Sequence, residues 1–231
     1  MKTIGLLGGM TSESSAEYYK LINRLVREKL GGIHSGQLVM YSVDFAPIEE
    51  LMEAGEWEQI ASILGNCARN IEKAGADFLV ICTNTMHKLA EDIQKQIRIP
   101  ILNIIDATAE EIKQKGIHTV GLLGTRFTME QPFYKGRLEE KHQLKVLTPS
   151  PEDIEVIHKI IMDELSIGII NDASNKEYWR IIHRLTEKGA GGIILGCTEI
   201  PLLVKEAEGN VPLFDTTAIH AAAAVDFALR D

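Results

Sequence analysis

Short apolar segments alternate with longer stretches of helical periodicity along the whole chain. The stretch Ser14–Leu30, for example, has apolar residues at helical spacing and follows soon after the first apolar segment. Mostly apolar strands that alternate with helices are typical of parallel sheets covered by helices on both faces. We therefore predict an α/β fold, with strands at Thr3–Leu7, Gln37–Val43, Phe78–Ile81, Ile101–Ile105, Val120–Leu123 and Gly192–Leu195.

The same pattern occurs twice. The N-terminal segment TIGLLGGMTSES resembles TVGLLGTRFTME at residues 119–130. The segment EKAGADFLVICTNT (Glu72–Thr85) resembles EKGAGGIILGCTEI (Glu187–Ile200), and RIPILNIIDATA (Arg98–Ala109) resembles NVPLFDTTAIHA (Asn210–Ala221). Three matches in the same order indicate a duplicated α/β unit.

The duplication predicts two similar lobes, each a parallel sheet flanked by helices, with the active site in the cleft between them. Ligands in such folds bind at the carboxyl ends of the strands. Matching strand ends on opposite walls of a cleft would suit chemistry on both faces of a planar intermediate. We expect residues 1–106 and 212–231 to form the first lobe and residues 107–211 to form the second, with the last strand and helix packing back on the first lobe.

The composition is that of an ordinary globular protein, with 45% hydrophobic and 25% charged residues in 231. The net charge of −9 and the lack of a basic block argue against nucleic acid and anionic membranes as partners. Three cysteines, an odd and small number, indicate a reducing compartment, so we expect a cytoplasmic protein. The sequence lacks cysteine and histidine patterns with metal-ligand spacing, and we expect no metal.

Two predicted strand ends carry motifs that resemble those of a known enzyme family. The segment ILGCTEIPLL (Ile194–Leu203) resembles the second catalytic-cysteine motif of the aspartate/glutamate racemase superfamily, and Cys82–His87 resembles its first motif, Cys-Asn-Thr. The turns at Gly8–Met10 and Gly124–Thr128 resemble phosphate-loop-like turns of the aspartate racemase branch. The resemblance extends over nearly the whole chain, from Met1 to Ala221.

This resemblance implies a racemase of acidic amino acids, aspartate or glutamate, that uses neither pyridoxal phosphate nor a metal. In the family, one cysteine removes the α-proton as a thiolate, and an opposite cysteine delivers a proton to the other face. Cysteine suits this role because its ordinary pKa of about 8.5 can be tuned towards neutrality. Cys197 occupies the second catalytic position, whose cysteine acts on the L-enantiomer in the family, which implies a preference for L-substrates. Family members are commonly dimers, so we expect a homodimer.

The first catalytic position has two possible alignments. The family motif Cys-Asn-Thr aligns with residues 83–85 and places Thr83 where the first catalytic cysteine should be, whereas the ungapped internal repeat pairs Cys82 with Cys197. A shift of one residue at a strand end turns the side chain to the opposite face. We prefer the motif alignment because it keeps the Asn-Thr pair in place. It predicts that Cys197 is the general base and that Thr83 is the opposite acid or proton relay.

The other polar residues at these strand ends are candidates for substrate binding, namely Gly9, Met10, Asn84, Thr85, Thr128, Thr198 and Glu199. Several could equally be helix caps, since helix N-termini need caps and also favour carboxylates. Glu199 replaces the histidine of glutamate racemases and either polarises Cys197 or faces solvent. The bases with which the aspartate racemase branch binds a side-chain carboxylate are missing from residues 44–48 and 162–165, so strict aspartate specificity is not expected.

Two other functions remain open at this stage. One is another enzyme of the superfamily, such as a decarboxylase, a maleate-type isomerase or a hydantoin racemase. The other is a catalytically silent binder of acidic amino acids, in which loss of the first cysteine has abolished the chemistry. Cys67 lies on the apolar face of a predicted helix and is interpreted as a core residue, and His87 is interpreted as a structural partner.

Overall fold

The computed structural model describes residues 1–205 and 210–230, and in this part of the chain two four-stranded parallel sheets are flanked by helices. The chain divides into two compact units, the first lobe (Met1–Ile104 and the residues from His220 onward) and the second lobe (Ile105–Ile219). The predicted class, two lobes that each contain a parallel sheet flanked by helices, is confirmed. None of the helices in the described ranges is long and apolar enough to cross a membrane.

The sheet of the first lobe has the strand order β2-β1-β3-β4. Its strands are β1 (Ile4–Gly8), β2 (Leu38–Ser42), β3 (Phe78–Ile81) and β4 (Ile101–Leu102). The helices that follow these strands are α1 (Ser12–Leu30), α2 (Ala46–Glu53), α3 (Trp57–Lys73), α4 (Ala90–Gln94) and α5 (Ile104–Gln114). A 3-10 turn at Thr85–Leu89 precedes α4. β4 is shorter than predicted because α5 already begins at Ile104.

Alternate residues of the central strands pack on opposite faces of the first sheet. Leu79 and Ile81 of β3 lie in one apolar cluster with residues of α3, whereas Phe78 and Val80 lie in another cluster with residues of α1 and α11 (Thr216–Leu229). Successive side chains of a strand point to opposite faces. Both faces of the central strands β1 and β3 are covered by helices and fully buried, which explains why these two strands are apolar throughout.

The sheet of the second lobe has the equivalent order β6-β5-β7-β8. Its strands are β5 (Thr119–Gly124), β6 (Lys145–Leu147), β7 (Ile193–Gly196) and β8 (Leu213–Asp215). Its further helices are α6 (Arg126–Glu130), α7 (Pro132–Gly136), α8 (Pro151–Asp163), α9 (Asp172–Glu187) and α10 (Ile200–Leu203), with a π-helical turn at Arg137–Lys141 and a 3-10 turn at Leu165–Ile167. The sequence did not predict β6, because three residues with an exposed lysine are too short for a periodic signal.

The lobe boundary near the C-terminus differs from the prediction. β8 pairs with β7 in the second sheet, so residues 212–219 belong to the second lobe and not to the first. The internal repeat explains this placement, since it aligns Arg98–Ala109, which contains β4, with Asn210–Ala221, which contains β8. β4 and β8 hold the same position in their sheets. Only the later part of α11 joins the first lobe, where its small apolar residues pack with residues of β1 and α1.

The other boundary, expected after residue 106, lies after Ile104, so Asp106 belongs to the second lobe. Its carboxylate accepts two hydrogen bonds of 2.7 Å from Arg137, one of 2.8 Å from Lys141 and one of 2.7 Å from Nε2 of His142. Burial by itself would raise the pKa of Asp106, but these donors outweigh burial and hold the pKa well below its ordinary value. The folded protein therefore favours the charged carboxylate more strongly than the unfolded chain does.

We expect Asp106→Asn to lower the free energy of unfolding by about 2 kcal/mol at pH 7, because charged hydrogen bonds are lost. The pKa of Asp106 is lower in the folded state than the unfolded value of about 3.9. This contribution is therefore present above pH 4 and declines as the pH falls towards the folded-state pKa. Urea unfolding at pH 7 and at pH 3 measures the loss of unfolding free energy and its decline at low pH.

The control is Glu110→Gln, which changes an exposed carboxylate on the same helix and should cost less than about 0.5 kcal/mol. An equal loss for Asp106→Asn at both pH values would contradict the prediction.

Candidate functional site

Three of the predicted site residues follow directly after β3, at the carboxyl end of the first sheet. Thr83 is half-buried, whereas Asn84 and Thr85 are buried, and Thr85 begins the 3-10 turn that leads to α4. The order of the motif along the strand end therefore brings a hydroxyl, an amide and a second hydroxyl together in the first lobe. These are the groups that the sequence assigned to proton transfer and substrate binding.

Cys82 lies on the opposite face of this strand end. Its side chain is 1% exposed and packs in the cluster that contains Val80, Tyr18 and Ala221. Burial raises the pKa of the Cys82 thiol far above its ordinary value. A buried cysteine in apolar surroundings is chemically inert, so this position supports the structural interpretation of Cys82.

The strand registers relate the two lobes residue by residue. The internal repeat aligns Gly5 of β1 with Gly121 of β5. Gly5 is paired with Leu79 of β3, and Gly121 is paired with Ile193 of β7. Leu79 and Ile193 are therefore equivalent positions in the two sheets.

This equivalence bears on the choice between the two alignments of the first motif. Thr83 follows Leu79 by four residues, as Cys197 follows Ile193 by four. The pairing of the strands thus relates Thr83, and not Cys82, to Cys197. The ungapped repeat is out of register by one residue in this segment, because it matches amino-acid types without regard to which face of the strand each side chain occupies.

The turn after β1 is fixed by its neighbours. Gly9 has φ of +94°, a conformation that residues with a side chain rarely adopt, and a Cβ at this position would overlap the backbone of Val43. The N–H of Gly9 donates a hydrogen bond of 2.7 Å to Oγ of Ser15, and Met10 is 5% exposed. Packing therefore accounts for the glycine, and substrate binding by Gly9 and Met10 stays a prediction.

The second motif forms a hydrogen-bonded group after β7. Sγ of Cys197 donates to Oε2 of Glu199 over 3.0 Å, and Oγ1 of Thr198 donates to the same oxygen over 2.6 Å. Cys197 is half-buried and Glu199 is 5% exposed. Of the two options that the sequence left for Glu199, contact with Cys197 is the one observed, and exposure to solvent is not.

Cys197 is held as a thiol in this arrangement. Burial raises the pKa of Cys197 well above its ordinary value, and the carboxylate of Glu199, which accepts the S–H hydrogen bond, raises it further. This direction is opposite to the lowering that the family resemblance implies, because the group beside the sulfur is an acid and not a cation. A thiolate can form here when its proton passes to an acceptor, and Glu199 lies within hydrogen-bonding distance.

A tyrosine that the sequence did not single out lies near this group. Tyr178 of α9 is fully buried in the apolar cluster against which Cys197 packs. Burial raises the pKa of Tyr178, and the nearby acidic groups of Cys197, Glu199 and Glu164 add to that effect, so the phenol stays protonated. Its hydroxyl has no hydrogen-bond partner within residues 1–205 and 210–230. An aromatic residue on the apolar face of a helix is normally interpreted as a core residue, so the sequence analysis did not identify Tyr178 as part of this group.

Thr128 has a packing role after β5. It is fully buried, and its Oγ1 lies 3.2 Å from Oγ1 of Thr125, the N-cap residue of α6. Its methyl group lies close to Gly124. Arg126 is exposed and forms an ion pair of 3.4 Å with Glu155. These contacts give Thr128 a packing role beside the cap, and its binding of substrate stays a prediction.

The groups assembled at the two strand ends suit proton transfer. The second lobe offers a thiol with a carboxylate acceptor, and the first lobe offers a half-buried hydroxyl. Within the described part of the chain, no three His, Cys, Asp or Glu side chains are grouped so that they could hold a metal ion. A thiol, a carboxylate and a hydroxyl are groups with which proteins commonly perform general acid–base chemistry.

Comparisons with known proteins agree with this chemistry. A family model described as Asp/Glu/Hydantoin racemase matches residues 7–224. The chain is 53% identical to a Yersinia pestis protein provisionally described as an Asp/Glu racemase, with a TM-score of 0.94 and all of both chains covered. It is 39% identical to an aspartate racemase homologue from Pyrococcus horikoshii, with a TM-score of 0.86 and the same full coverage. It is also 24% identical to the broad specificity amino-acid racemase RacX of Bacillus subtilis, over 96% of each chain.

Proposed function

Because the chain belongs to the Asp/Glu/Hydantoin racemase family, we propose that it racemises acidic amino acids, aspartate or glutamate, without a cofactor and with a preference for the L-enantiomer. The observation that carries this proposal is the Cys197–Glu199 hydrogen bond of 3.0 Å at the carboxyl end of β7. It joins a nucleophilic thiol to a proton acceptor at the strand end where the family motif lies. A structural cysteine would not require a buried carboxylate beside it.

The proposed reaction begins with transfer of the Cys197 proton to the carboxylate of Glu199. The thiolate removes the α-proton of the L-substrate and leaves a planar carbanion. The hydroxyl of Thr83 then gives its proton to the opposite face of the carbanion, and water replaces that proton. Cys197 keeps the proton that it took from the substrate, and Glu199 releases to solvent the proton that it took from Cys197, so each turnover leaves the protein unchanged.

The preference for L-substrates follows from the unequal strength of the two acids. A threonine hydroxyl is a far weaker acid than a thiol, so Thr83 cannot serve as a resting base at neutral pH. Proton removal by the resting protein is therefore easier from the side of Cys197. Because the two enantiomers have equal free energies, the proposed preference is one of kcat, with kcat/KM equal in both directions. The reverse reaction, which starts from the D-enantiomer, would need Thr83 to accept the α-proton.

Substrate binding is assigned to the polar groups beside these two residues. Asn84 and Thr85 follow Thr83 directly, and Thr198 lies between Cys197 and Glu199 along the chain. Backbone N–H groups at the start of a helical turn favour carboxylates. The proposal therefore places the α-carboxylate near these strand ends, in addition to the predicted contributions of Gly9, Met10 and Thr128.

Hydrogen exchange in D₂O tests the proposal. L-aspartate and L-glutamate are incubated separately with the protein, and NMR follows loss of the α-hydrogen while chiral chromatography follows formation of the D-enantiomer. A panel of neutral and basic amino acids belongs in the same assay, since one relative is named for broad specificity. Exchange with inversion of an acidic substrate is the expected result. Binding without exchange would indicate a silent binder, and loss of CO₂ or turnover of another small acid would indicate a different enzyme of the superfamily.

We expect Thr83→Cys to raise turnover of the D-substrate by about tenfold or more, because it supplies a second base of comparable strength. The matched control is Thr83→Ser, which keeps a hydroxyl and should leave the D-rate within about threefold of the original. The initial rates from both enantiomers are measured with each variant. If Thr83→Cys leaves the D-rate unchanged while Cys82→Ala abolishes activity, Cys82 and not Thr83 is the first catalytic residue.

The proposal also includes a cytoplasmic location and a homodimeric state. Three free cysteines support a reducing compartment. Light scattering coupled to size-exclusion chromatography measures the oligomeric state directly, and fractionation of the source cells measures the location.

A further inference from the structure

We propose that His87 is a positioning residue that fixes the backbone of Thr83, and thereby the place from which the Thr83 hydroxyl delivers its proton. The inference rests on the proposed role of Thr83. Its starting point is the 3-10 turn Thr85–Leu89, in which His87 is 5% exposed although histidine is a polar residue. His87 follows Thr83 by four residues, so its ring can reach back to the strand end.

Both ring nitrogens of His87 contact the backbone of the first lobe. Nδ1 lies 2.8 Å from the carbonyl oxygen of Thr83, and Nε2 accepts a hydrogen bond of 3.1 Å from the N–H of Ile104. A carbonyl can only accept, so Nδ1 carries the hydrogen, and a backbone N–H can only donate, so Nε2 carries none. The two contacts therefore select one neutral tautomer. In that form the imidazole links the end of β3 to the start of α5.

The residue before Thr83 is held in a similar way. Oγ of Ser14, in the first turn of α1, donates a hydrogen bond of 2.7 Å to the carbonyl oxygen of Cys82. Ser14 is 3% exposed. Two successive carbonyl groups, those of Cys82 and Thr83, are thus bound by buried side chains from two different elements. The peptide that carries the Thr83 side chain is fixed on both sides of its Cα atom.

Such fixation matters more for a hydroxyl than it would for a thiol. Because threonine is a weak acid, its proton moves only when the acceptor carbon is at short distance and in line, and a displacement of about 1 Å can cost roughly 100-fold in rate. Catalytic groups are held within about 0.5 Å by residues that are themselves locked by packing and hydrogen bonds. The neutral His87 link meets this requirement, because it is buried and bound at both nitrogens.

The neighbouring His220 provides a matched control. Its ring lies 5.7 Å from that of His87, it is also fully buried, and burial lowers its pKa to about 4. Its nitrogens are bonded to the hydroxyl of Tyr18 and to the carbonyl of Leu102, both at 2.8 Å. His220 therefore resembles His87 in burial and bonding, but it does not bind the segment that carries Thr83.

The experiment compares two rates for L-aspartate, or for the acidic substrate with the fastest turnover, in D₂O. Inversion reports delivery of a proton from the Thr83 side, and deuterium in the recovered L-substrate reports exchange on the Cys197 side. We expect His87→Leu to lower inversion by about 10- to 100-fold while exchange into the L-substrate changes by less than about threefold. His87→Asn, whose amide can still donate to the Thr83 carbonyl, should restore most of the inversion. His220→Asn should lower the free energy of unfolding and leave the ratio of the two rates unchanged.

A double-mutant cycle with Thr83→Ala completes the test. If His87 acts through Thr83, then His87→Leu has almost no further effect on inversion in the Thr83→Ala background. Equal loss of inversion and exchange, or the same factor of loss in both backgrounds, would show a general structural role and overturn the inference. The Thr83→Ala variant alone tests the proposed function. If this variant still inverts the substrate at the full rate, Thr83 is not part of the mechanism, and the proposed role of His87 fails for that reason.

Discussion

Replacing Cys197 by alanine is expected to abolish both inversion and solvent exchange of the α-hydrogen. The reason is that the proposal assigns removal of the α-proton to Cys197, and alanine has no group that can accept a proton. A positioned general base contributes roughly 10²–10⁴-fold to a rate, so the residual activity should be lower by at least that factor. The measurement is the initial rate of α-hydrogen loss by NMR, with chiral chromatography of the same samples.

The chain supplies a matched control in Cys82. Both cysteines follow the third strand of their own sheet in order along the chain, but Cys82 is 1% exposed among apolar residues. Cys82→Ala should cost about 1 kcal/mol of unfolding free energy through lost packing and should leave turnover within about threefold. Loss of activity in Cys82→Ala with activity retained in Cys197→Ala would reverse the assignment of the two cysteines.

Glu199→Gln is expected to lower turnover by about 100-fold at pH 7, because the amide cannot accept the proton of the Cys197 thiol. The variant has a distinctive pH dependence. Burial and the Glu199 carboxylate both raise the pKa of Cys197, so removal of the carboxylate moves that pKa back towards its ordinary value, while burial still keeps it raised. The thiolate must then form by loss of the proton to solvent. Turnover of the variant should therefore rise with pH and recover much of the loss by pH 9.

Glu164→Gln is the control for this change, because it removes the same charge from the same lobe. Its carboxylate accepts a hydrogen bond of 2.6 Å from Ser174 and contributes to the raised pKa of Tyr178. Its turnover at pH 7 should fall by less than about tenfold, with the pH profile of the original protein. If Glu199→Gln retained full turnover at pH 7, the carboxylate would not be the proton acceptor of Cys197.

The sequence predicted the second motif more completely than the first. At β7 the apolar run, the Gly-Cys-Thr segment and the family resemblance all pointed to Cys197, and no competing residue of the same type lay beside it. At β3 the neighbouring Cys82 and Thr83 gave two alignments, and the composition of the motif alone did not separate them. The pairing of Gly5 with Leu79 and of Gly121 with Ile193 supports the alignment on Thr83, because register decides which face of a strand each side chain occupies.

The positioning residues were less accessible to sequence reasoning. His87 and Ser14 bind the backbone carbonyls of Thr83 and Cys82, and a carbonyl group is present at every position of a chain. The pattern of side chains along the sequence therefore does not predict such contacts. The only signal for His87 was its spacing of four residues from Thr83, which permits a contact but does not require one.

The sequence by itself determined the α/β class, the duplication and the strand ends at which Thr83 and Cys197 lie, because these depend on local periodicity and on the order of short motifs. Only the tertiary structure decided that β8 joins the second sheet, that Glu199 turns inward to accept the S–H hydrogen bond of Cys197, and that this contact and burial raise the pKa of the thiol. The physical reason is that strand pairing, burial and hydrogen bonding join residues that are distant along the chain or that differ in the face they present. Hydrophobic periodicity predicts that a residue is buried, but it does not predict which other residue that side chain contacts.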